Sequence, residues 1–377
     1  MTILALETSC DDTCAAVVDA DGRIRSNVIS SQQAHERFGG VVPEIASRHH
    51  LELIDLVVER SLADAGTTLD EVELVAATQG PGLIGALLVG FSSAKSLAAA
   101  RRLPFAAVDH LQGHVSANFL LSAADGGGEA SAGDARGASS AARKVSGEEA
   151  NGGNASGEEA FEPPFLCLIA SGGHTLLAHV QEHEGFQTLG RTLDDAAGEA
   201  FDKGARMLGL GFPGGPALQR LAADGDPQAF EFPTSGSRAR GGRGATRAFG
   251  RSLDFSFAGL KTSLLYKLRE MDDPQRHERK ADLAASYQAA IVEHLIVRTK
   301  EALESTGLDR LAVGGGVAAN GELRRRLRGL GVSVHVPPIV LCTDNAAMIA
   351  SAARFASALA YPDYLGLDAY ATGERPW

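Results

Sequence analysis

The sequence predicts an α/β protein made of two similar halves, because two sequence patterns each occur twice and in the same order. The first pattern is an apolar strand, a turn of small polar residues and a second strand; it occupies residues 3–19 and recurs at residues 165–180. The second pattern is an apolar strand, a Gly-rich turn and a helix; it occupies residues 74–100 and recurs at residues 310–330. This repetition indicates an internal duplication.

Two βαβ-type halves around a nucleotide cleft, each with Gly-rich turns, are the layout of the actin/Hsp70/sugar-kinase (ASKHA) superfamily. We therefore expect residues 1–122 to form a first lobe, residues 165–340 a second lobe, and residues 341–377 a C-terminal segment that returns to the first lobe. This is an analogy of fold, and fold alone does not determine the chemistry.

The composition is that of a globular protein in the cytoplasm. The chain has 377 residues, of which 44% are hydrophobic, and no apolar run is long enough to cross a bilayer. The first residues are acidic rather than basic, which is not typical of a signal peptide. The net charge of −12 argues against non-specific coating of nucleic acid. The cysteines form no C-x-x-C pair and are predicted to be reduced, mostly buried thiols: Cys10, Cys14, Cys167 and Cys342.

In the first half, the polar turn at residues 7–13 either lies under a phosphate or is simply rich in good turn residues. A helix is predicted over residues 41–62, with His49 and His50 as an exposed or capped pair. The turn at residues 79–82 follows a buried strand and precedes the helix at residues 83–100, so it can cradle an anion or serve tight packing. It is not a Walker A motif, because the Lys-Ser/Thr ending is missing.

Two histidines follow the next strand. His110 and His114 are four residues apart, so on a helix both can face one cleft and bind one metal ion. This spacing is a weak signal, and a surface or core pair is equally consistent with it. A zinc-protease interpretation fails, because Leu111 stands where the H-E-x-x-H motif carries its general base.

Asp344 ends a strand-like apolar run and has two possible roles. It can cap the following helix, or it can complete a metal site with His110 and His114. Two histidines and one carboxylate leave coordination positions open, which suits Fe(II) or Zn(II) with a bound substrate oxygen.

Two segments have unusual composition. Residues 123–164 are rich in Gly, Ala, Ser and Glu and are predicted to be a disordered insertion. Residues 237–251 contain five arginines and no acidic residue, which fits either a local phosphate-binding surface or a solvated loop.

In the second half, the helical region that starts near residue 193 carries Asp202, and a Pro/Gly turn containing Gly215 follows it. A carboxylate can accept hydrogen bonds from ribose hydroxyls, and glycine permits close approach; the alternative is a solvated helical Asp. The segment at residues 281–303 is predicted to be a long amphipathic helix that faces the core.

Taken in order, these motifs closely resemble those of the TsaD family, tRNA N6-adenosine threonylcarbamoyltransferase, once misnamed a glycoprotease. The resemblance covers nearly the whole chain outside the insertion, and the motifs that carry it lie at residues 7–13, 79–82, 110–114, 171–175, 194–203, 213–215, 255–262, 315–320 and 343–345. His174 after the Ser-Gly-Gly run resembles the bacterial or organellar branch.

The resemblance implies roles for individual residues. It implies that His110, His114 and Asp344 bind one divalent metal ion, with Fe(II) expected and Zn(II) as the alternative. It also implies a set of residues that hold threonylcarbamoyl-AMP: Ile169, Ala170, Ser171, Gly172, Gly173, Asp202, Gly215 and Asn320.

The implied reaction is transfer of the threonylcarbamoyl group to N6 of the adenosine next to the anticodon, with AMP as leaving group. The N–H groups of residues 171–173 can stabilise developing charge. The catalytic base is not identified by the sequence, although His174 is a candidate. The implied partners are tRNA and helper subunits like TsaB and TsaE. No association with a membrane is expected. A carbamoyltransferase acting on a small molecule and a non-catalytic scaffold subunit are the rival hypotheses.

Overall fold

A computed structural model describes residues 1–121, 161–234 and 253–371 of the chain. Its first half contains five strands and three helices: β1 Thr2–Glu7, β2 Asp12–Asp19, β3 Ile24–Ser31, α1 Pro43–Asp64, β4 Leu74–Gly80, α2 Ile84–Arg101, β5 Phe105–Asp109 and α3 His110–Ser116. Short 3₁₀ turns lie at Gln33–Phe38, Leu69–Glu71 and Ala117–Phe119.

The described part of the second half again contains five strands, now with six helices: β6 Phe165–Ala170, β7 Thr175–Glu182, β8 Gly185–Arg191, α4 Ala197–Met207, α5 Gly214–Ala222, α6 Ala258–Glu270, α7 Asp273–Glu278, α8 Lys280–Thr306, β9 Arg310–Gly314, α9 Gly321–Arg328 and β10 Ser333–His335. A 3₁₀ turn lies at Gly316–Ala319. The C-terminal segment adds α10 Ile339–Cys342, α11 Ala346–Ala353 and a 3₁₀ turn at Asp363–Gly366.

The two sheets share one topology. The first has the strand order β3-β2-β1-β4-β5 and the second, read from its opposite edge, the order β8-β7-β6-β9-β10. In each sheet the first three strands pair antiparallel and the last two are added in parallel. The internal duplication predicted from the sequence is therefore confirmed, and with it the duplicated α/β fold class.

Side chains alternate along each strand, so each sheet has apolar side chains on both faces, and both faces are covered by other elements. In β1, Leu4 and Leu6 pack toward α1 and α2, whereas Ile3 and Ala5 pack toward α11. One face of the second sheet lies under its own helices, and the other contacts Val115 and Phe119 from the first half. This contact places the end of α3 against the second sheet.

The C-terminal segment departs from prediction at two points. The apolar run before Thr343 is the short helix α10, not a strand-like segment. Asn345, not Asp344, caps α11, because its side chain accepts from Met348 N. Short apolar runs fit a strand or a buried helix equally well, which explains the first error.

The prediction for His50 was also wrong, because this residue is fully buried within α1. Its Nε2 lies 3.0 Å from the Cys10 carbonyl oxygen and therefore donates to it, while Nδ1 accepts from Thr13 Oγ1 at 2.8 Å. His49, in contrast, lies partly exposed near Glu52.

Several predictions stay predictions. The Arg-rich segment 237–251 lies outside the described residues, and so does the predicted insertion except for residues 161–164. The lobe limits at residues 122 and 340 are likewise untested. Among the described helices, none combines the length and the apolar character that a bilayer crossing requires.

Candidate metal centre and substrate cleft

The site begins where β5 ends and α3 starts. Asp109 fixes this junction, because its Oδ1 accepts from Leu111 N at 2.9 Å and from Gln112 N at 3.1 Å. The Tyr370 hydroxyl lies 2.8 Å from the other carboxylate oxygen of Asp109. A helix that starts at this point carries residues 110 and 114 on one face.

His110, His114 and Asp344 lie together. The Nε2 atoms of His110 and His114 lie 3.6 Å and 3.3 Å from Oδ1 of Asp344. One potential ligand atom from each residue lies within 4.8 Å of the others, so the three can hold a single metal ion. Asp344 reaches this position from the turn between α10 and α11, far along the chain from the histidines.

The opposite side of the His110 ring contacts a buried carboxylate. His110 Nδ1 lies 3.1 Å from Glu7 Oε2 and 3.2 Å from Ser9 Oγ. Glu7 is buried at the end of β1 and also accepts from Ser9 N and Thr78 Oγ1. Because the Nδ1 proton is donated to Glu7, Nε2 can offer its lone pair to a metal ion, which is the carboxylate–histidine arrangement of many metal sites.

The electrostatics of this cluster favour a cation. Burial disfavours a charged imidazole, but the carboxylates of Asp344 and Glu7 outweigh burial and raise the pKa of His110 to about 9. Burial would raise the pKa of Asp344, but His110 and His114 hold it well below its usual value. Two carboxylates around buried imidazoles attract a proton strongly, and the same negative charge would attract a divalent cation.

His114 provides an independent test of metal binding. Its side chain is fully buried, and Nδ1 has no hydrogen-bond partner within the part of the chain that the structure describes. Nε2 lies 3.3 Å from Asp344 Oδ1 but does not have the geometry of a hydrogen bond to it. Buried polar atoms in native proteins are nearly always paired. A metal ion held between Nε2 and the Asp344 carboxylate would satisfy Nε2, so the residues present fit a metal site.

The turn after β6 lies close to the metal cluster. Ser171 N donates to the His174 carbonyl at 2.8 Å, and the Ser171 carbonyl accepts from Gly198 N at 3.0 Å. The N–H groups of Gly172 and Gly173 have no partner among the described residues, and both glycines are exposed. The expectation of three free N–H groups is therefore corrected to two.

Asp202 lies in the middle of α4, and Gly215 lies in the first turn of α5. Asp202 Oδ1 accepts from Gly214 N at 2.8 Å, which fixes the start of α5 against α4. Burial raises the pKa of Asp202, while hydrogen bonds from Gly214 and Gly215 act in the opposite direction. A half-buried carboxylate with these partners is not a solvated helical Asp, so that alternative was wrong.

The remaining predicted substrate residues are more enclosed. Ile169 and Ala170 are fully buried in β6. Asn320 is buried too, because its side chain caps α9 by accepting from Leu323 N and donates to Gln288 Oε1. The side chain of Asn320 thus has protein partners of its own.

His174 lies at the edge of the cluster, its ring centroid 6.2 Å from that of His110. Burial, together with the positive charge of His110 and His114, lowers the pKa of His174 to about 4. The imidazole is therefore neutral at physiological pH.

The sequence reasoning missed Glu7 as the partner of His110. Its signal was present, because an acid at the end of a wholly apolar strand is buried, and glutamate is almost never fully buried without a partner. Which side chain would be that partner depends on the contact between β1 and α3.

Sequence comparisons relate the chain to one protein family. The sequence model of the TsaD family, described as tRNA N6-adenosine threonylcarbamoyltransferase, matches residues 23–131 and 144–351. The chain is 42% identical over 360 residues to a protein of that name from Clostridium botulinum (strain Hall), covering 94% of this chain and 92% of the relative. The corresponding Clostridium perfringens (strain SM101) protein is 42% identical over 358 residues, with the same coverage.

Solved structures show the same fold at low sequence identity. Full-length HypF in its phosphate- and nucleotide-bound form has a TM-score of 0.53 at 14% identity, over 94% of this chain and 46% of that chain. Component A of the Acidaminococcus fermentans (R)-2-hydroxyglutaryl-CoA dehydratase has a TM-score of 0.50 at 13% identity, over 94% and 97%. At these identities the likeness shows the fold alone.

Proposed function

The chain belongs to the TsaD family, tRNA N6-adenosine threonylcarbamoyltransferase, and from that premise we propose that it is an acyltransferase that modifies tRNA. The substrate is threonylcarbamoyl-AMP, and the acceptor is N6 of the adenosine 3′-adjacent to the anticodon in tRNAs that read codons beginning with adenine. The observation that carries the proposal is 42% identity over 94% of the chain, in a protein whose two histidines and aspartate come together.

His110, His114 and Asp344 would hold one divalent metal ion, Fe(II) in the first place and Zn(II) as the alternative. The buried Nε2 of His114 supports this assignment, because it faces Asp344 at 3.3 Å without the geometry of a hydrogen bond. When bound, such an ion supplies Lewis-acid stabilisation of negative charge on a phosphate or carbonyl oxygen. Glu7 holds His110 in the tautomer that directs Nε2 toward Asp344.

The adenylate would lie in the cleft beside this cluster. The free N–H groups of Gly172 and Gly173 can donate to an oxyanion. Asp202 has a second carboxylate oxygen that can accept from a ribose hydroxyl. A Cβ at Gly215 would meet no atom within 4 Å, so there is space beside this residue. Ile169, Ala170 and Asn320 would act by positioning the turns around the cleft, because they are buried.

The transfer forms one bond and breaks another. The N6 amine attacks the carbamoyl carbon, the bond from that carbon to the AMP phosphate oxygen breaks, and AMP leaves with the electron pair. The amine must also lose a proton. His174 is the candidate acceptor because its imidazole is neutral, although a pKa of about 4 makes it a weak base.

Protein partners like TsaB and TsaE belong to this proposal. An apolar surface on the first half supports one such contact: Leu51 on α1 and Ile84 and Leu88 on α2 are 66%, 44% and 41% exposed. The two helices pack closely there, because a Cβ at Gly85 would lie 2.6 Å from Ser47 Oγ. The leucines lie about one turn beyond this contact on each helix, so they share one outer surface.

The expected location is the cytoplasm, where thiols stay reduced. All four cysteines are free in the structure, and Cys14, Cys167 and Cys342 are buried.

The direct test is threonylcarbamoyl transfer from its adenylate to unmodified tRNA, with TsaB- and TsaE-like proteins present. Wild type should modify the tRNA, and His110→Ala/His114→Ala should not. Absence of transfer by folded, metal-loaded wild type would refute the proposal and favour a small-molecule carbamoyltransferase. Transfer by the double variant would support the proposed function but show that the metal ion is not required for it.

A further inference from the structure

A cavity of about 310 Å³ lies between the two halves, next to Asp202. The first half contributes the end of the 3₁₀ turn Gln33–Phe38 and the following Gly39; the second contributes α4 and the segment at residues 210–212. The volume is at the lower end of the range for small-ligand pockets. Because Asp202 lines it, the cavity adjoins the proposed adenylate site.

Phe38 is the aromatic residue presented by the first half. It is 50% exposed, and the Arg37 guanidinium lies 4.8 Å from the centroid of its ring. Isolated exposed apolar residues are common. An exposed ring beside an arginine, in a cavity that opens on a nucleotide site, is instead the composition with which proteins stack single-stranded bases.

The turn that carries Phe38 is held in place. His35 is fully buried; its Nδ1 accepts from Val42 N at 3.2 Å, and its Nε2 lies 3.0 Å from Gln32 Oε1. Gly39 ends the turn at φ +65°, and its N–H donates to the Glu36 carbonyl at 3.1 Å. An aromatic ring on a fixed turn loses little freedom when it binds a ligand.

Arg206 faces the same cavity from α4. Its guanidinium lies 3.2 Å from the position that a Cβ at Gly39 would occupy, so glycine leaves the space that this side chain uses. Neither Arg37 nor Arg206 forms an ion pair with an acid among the residues that the structure describes. Two carboxylates, Glu36 and Asp202, also line the cavity, and the charge of Arg206 acts to lower the pKa of Asp202. Since neither carboxylate forms an ion pair with these arginines, both guanidinium groups can contact phosphates of a bound strand.

We propose that this cavity binds a nucleobase of the tRNA anticodon loop next to the reacting adenosine, stacked on Phe38, with Arg37 and Arg206 contacting the flanking phosphates. The inference rests on the proposed function and adds to it a binding site for the acceptor strand. Phe38 would then determine how tightly the tRNA is held, and not the binding of the adenylate.

The test compares Phe38→Ala and Phe38→Trp in the transfer assay. Phe38→Ala should raise KM for tRNA roughly 5- to 150-fold, the loss expected for one stacked base, and leave KM for threonylcarbamoyl-AMP unchanged. Phe38→Trp should restore it, because indole also stacks. Tyr266→Ala is the matched control, since this tyrosine is 57% exposed on α6 and does not line the cavity; its KM values should not change.

A separate arm measures binding of an anticodon stem-loop RNA by fluorescence anisotropy at several salt concentrations. Arg206→Ala should weaken binding and lower the slope of log K against log salt by roughly 0.7, the value for one phosphate contact on a single strand. Loss of stem-loop binding in Phe38→Ala would support the inference even if wild type showed no transfer, so the two proposals can fail separately.

Three results would overturn the inference. The first is a KM for tRNA within twofold of wild type in Phe38→Ala. The second is an equal rise in KM for the adenylate, which would assign the cavity to that substrate. The third is an unchanged KM for tRNA with a higher requirement for the TsaB-like protein, which would assign the cavity to a protein partner.

Discussion

The two halves of this protein have the same sheet topology but different chemistry at equivalent turns. Between β1 and β2, Glu7 and Ser9 are buried and contact His110. Between β6 and β7, Gly172 and Gly173 are exposed, and their N–H groups have no partner among the described residues. One turn thus contacts a proposed metal ligand, whereas the other leaves two backbone donors free for the proposed substrate.

The fifth strand of each sheet shows a second equivalence. His110 directly follows β5, and Asp344 follows α10, the helix that comes after β10. The scaffold therefore brings candidate metal ligands from the first half and from the C-terminal segment to one point, while the side chains at the strand ends differ between the two halves. Three predictions test this division of roles and a fourth tests buried histidines elsewhere, in order of decreasing effect.

Removing the carboxylate ligand should abolish the metal site. Asp344→Ala is expected to lose bound metal and to reduce transfer more than about 100-fold, because the two histidines alone leave the ion weakly held. Metal content and transfer rate are measured after purification with Fe(II). Asp363→Ala, a change in a 3₁₀ turn away from the cluster, should retain both. Full metal occupancy in Asp344→Ala would contradict the assignment.

Glu7→Gln tests the role of the first turn. The substitution keeps the size of the side chain but removes the charge that orients His110, so metal affinity should fall roughly 10- to 100-fold. Competition with a chelator measures the affinity. Glu59→Gln, on an exposed position of α1, should behave as wild type. An unchanged metal affinity in Glu7→Gln would show that the charge of Glu7 is not needed to orient the ring.

Gly198→Ala tests the second turn. The added Cβ would lie 2.6 Å from the Ser171 carbonyl oxygen and 2.8 Å from Gly172, so the turn or α4 must shift. We expect a loss of about 1–3 kcal/mol in the free energy of unfolding and weaker binding of the adenylate. Gly172→Ala, where a Cβ meets nothing within 4 Å, should leave stability unchanged. Denaturant unfolding measures the stability of both variants. Equal stability of Gly198→Ala and Gly172→Ala would contradict the prediction.

The smallest effect is a pH dependence of stability. Burial lowers the pKa of His50, His294 and His335 in the folded protein below the value of about 6.5 in the unfolded chain. The unfolded chain therefore binds more protons, and the stability from these residues is present above pH 6.5 and is lost as the pH falls.

These three residues should lower the unfolding temperature at pH 5.5 relative to pH 7.5, whereas His110, whose pKa is raised to about 9, contributes in the opposite direction. In His294→Gln this difference should shrink by about a degree or two, because one of the contributing groups is gone. Calorimetry at the two pH values measures it. An equal difference in wild type and His294→Gln would rule out His294 as a contributor.

The sequence predicted most of the fold, because the apolar strands and the repeated turns are local patterns. It also predicted that His110 and His114 face one way, since that follows from helical geometry. The contacts of Glu7 and Asp344 with His110 were harder to foresee, because they depend on how distant segments pack.

His50 is a second example of a contact that depends on how distant segments pack. A histidine on a helix is exposed or buried according to its neighbours, and here Thr13 and the Cys10 carbonyl supply both partners from the hairpin. The Arg-rich segment and most of the insertion lie outside the described residues, so only the predictions from composition apply to them.

The position of α11 in the chain has a consequence for synthesis on the ribosome. This helix covers one face of the first sheet, where Met348 and Ile349 pack with residues of β1 and β2, yet it is made long after those strands. A nascent chain that has completed β1 to β5 still exposes that apolar face and lacks the carboxylate of Asp344. Neither the first half nor the proposed metal site can therefore be completed while the second half is being translated, and a prematurely terminated chain should bind chaperones or be degraded.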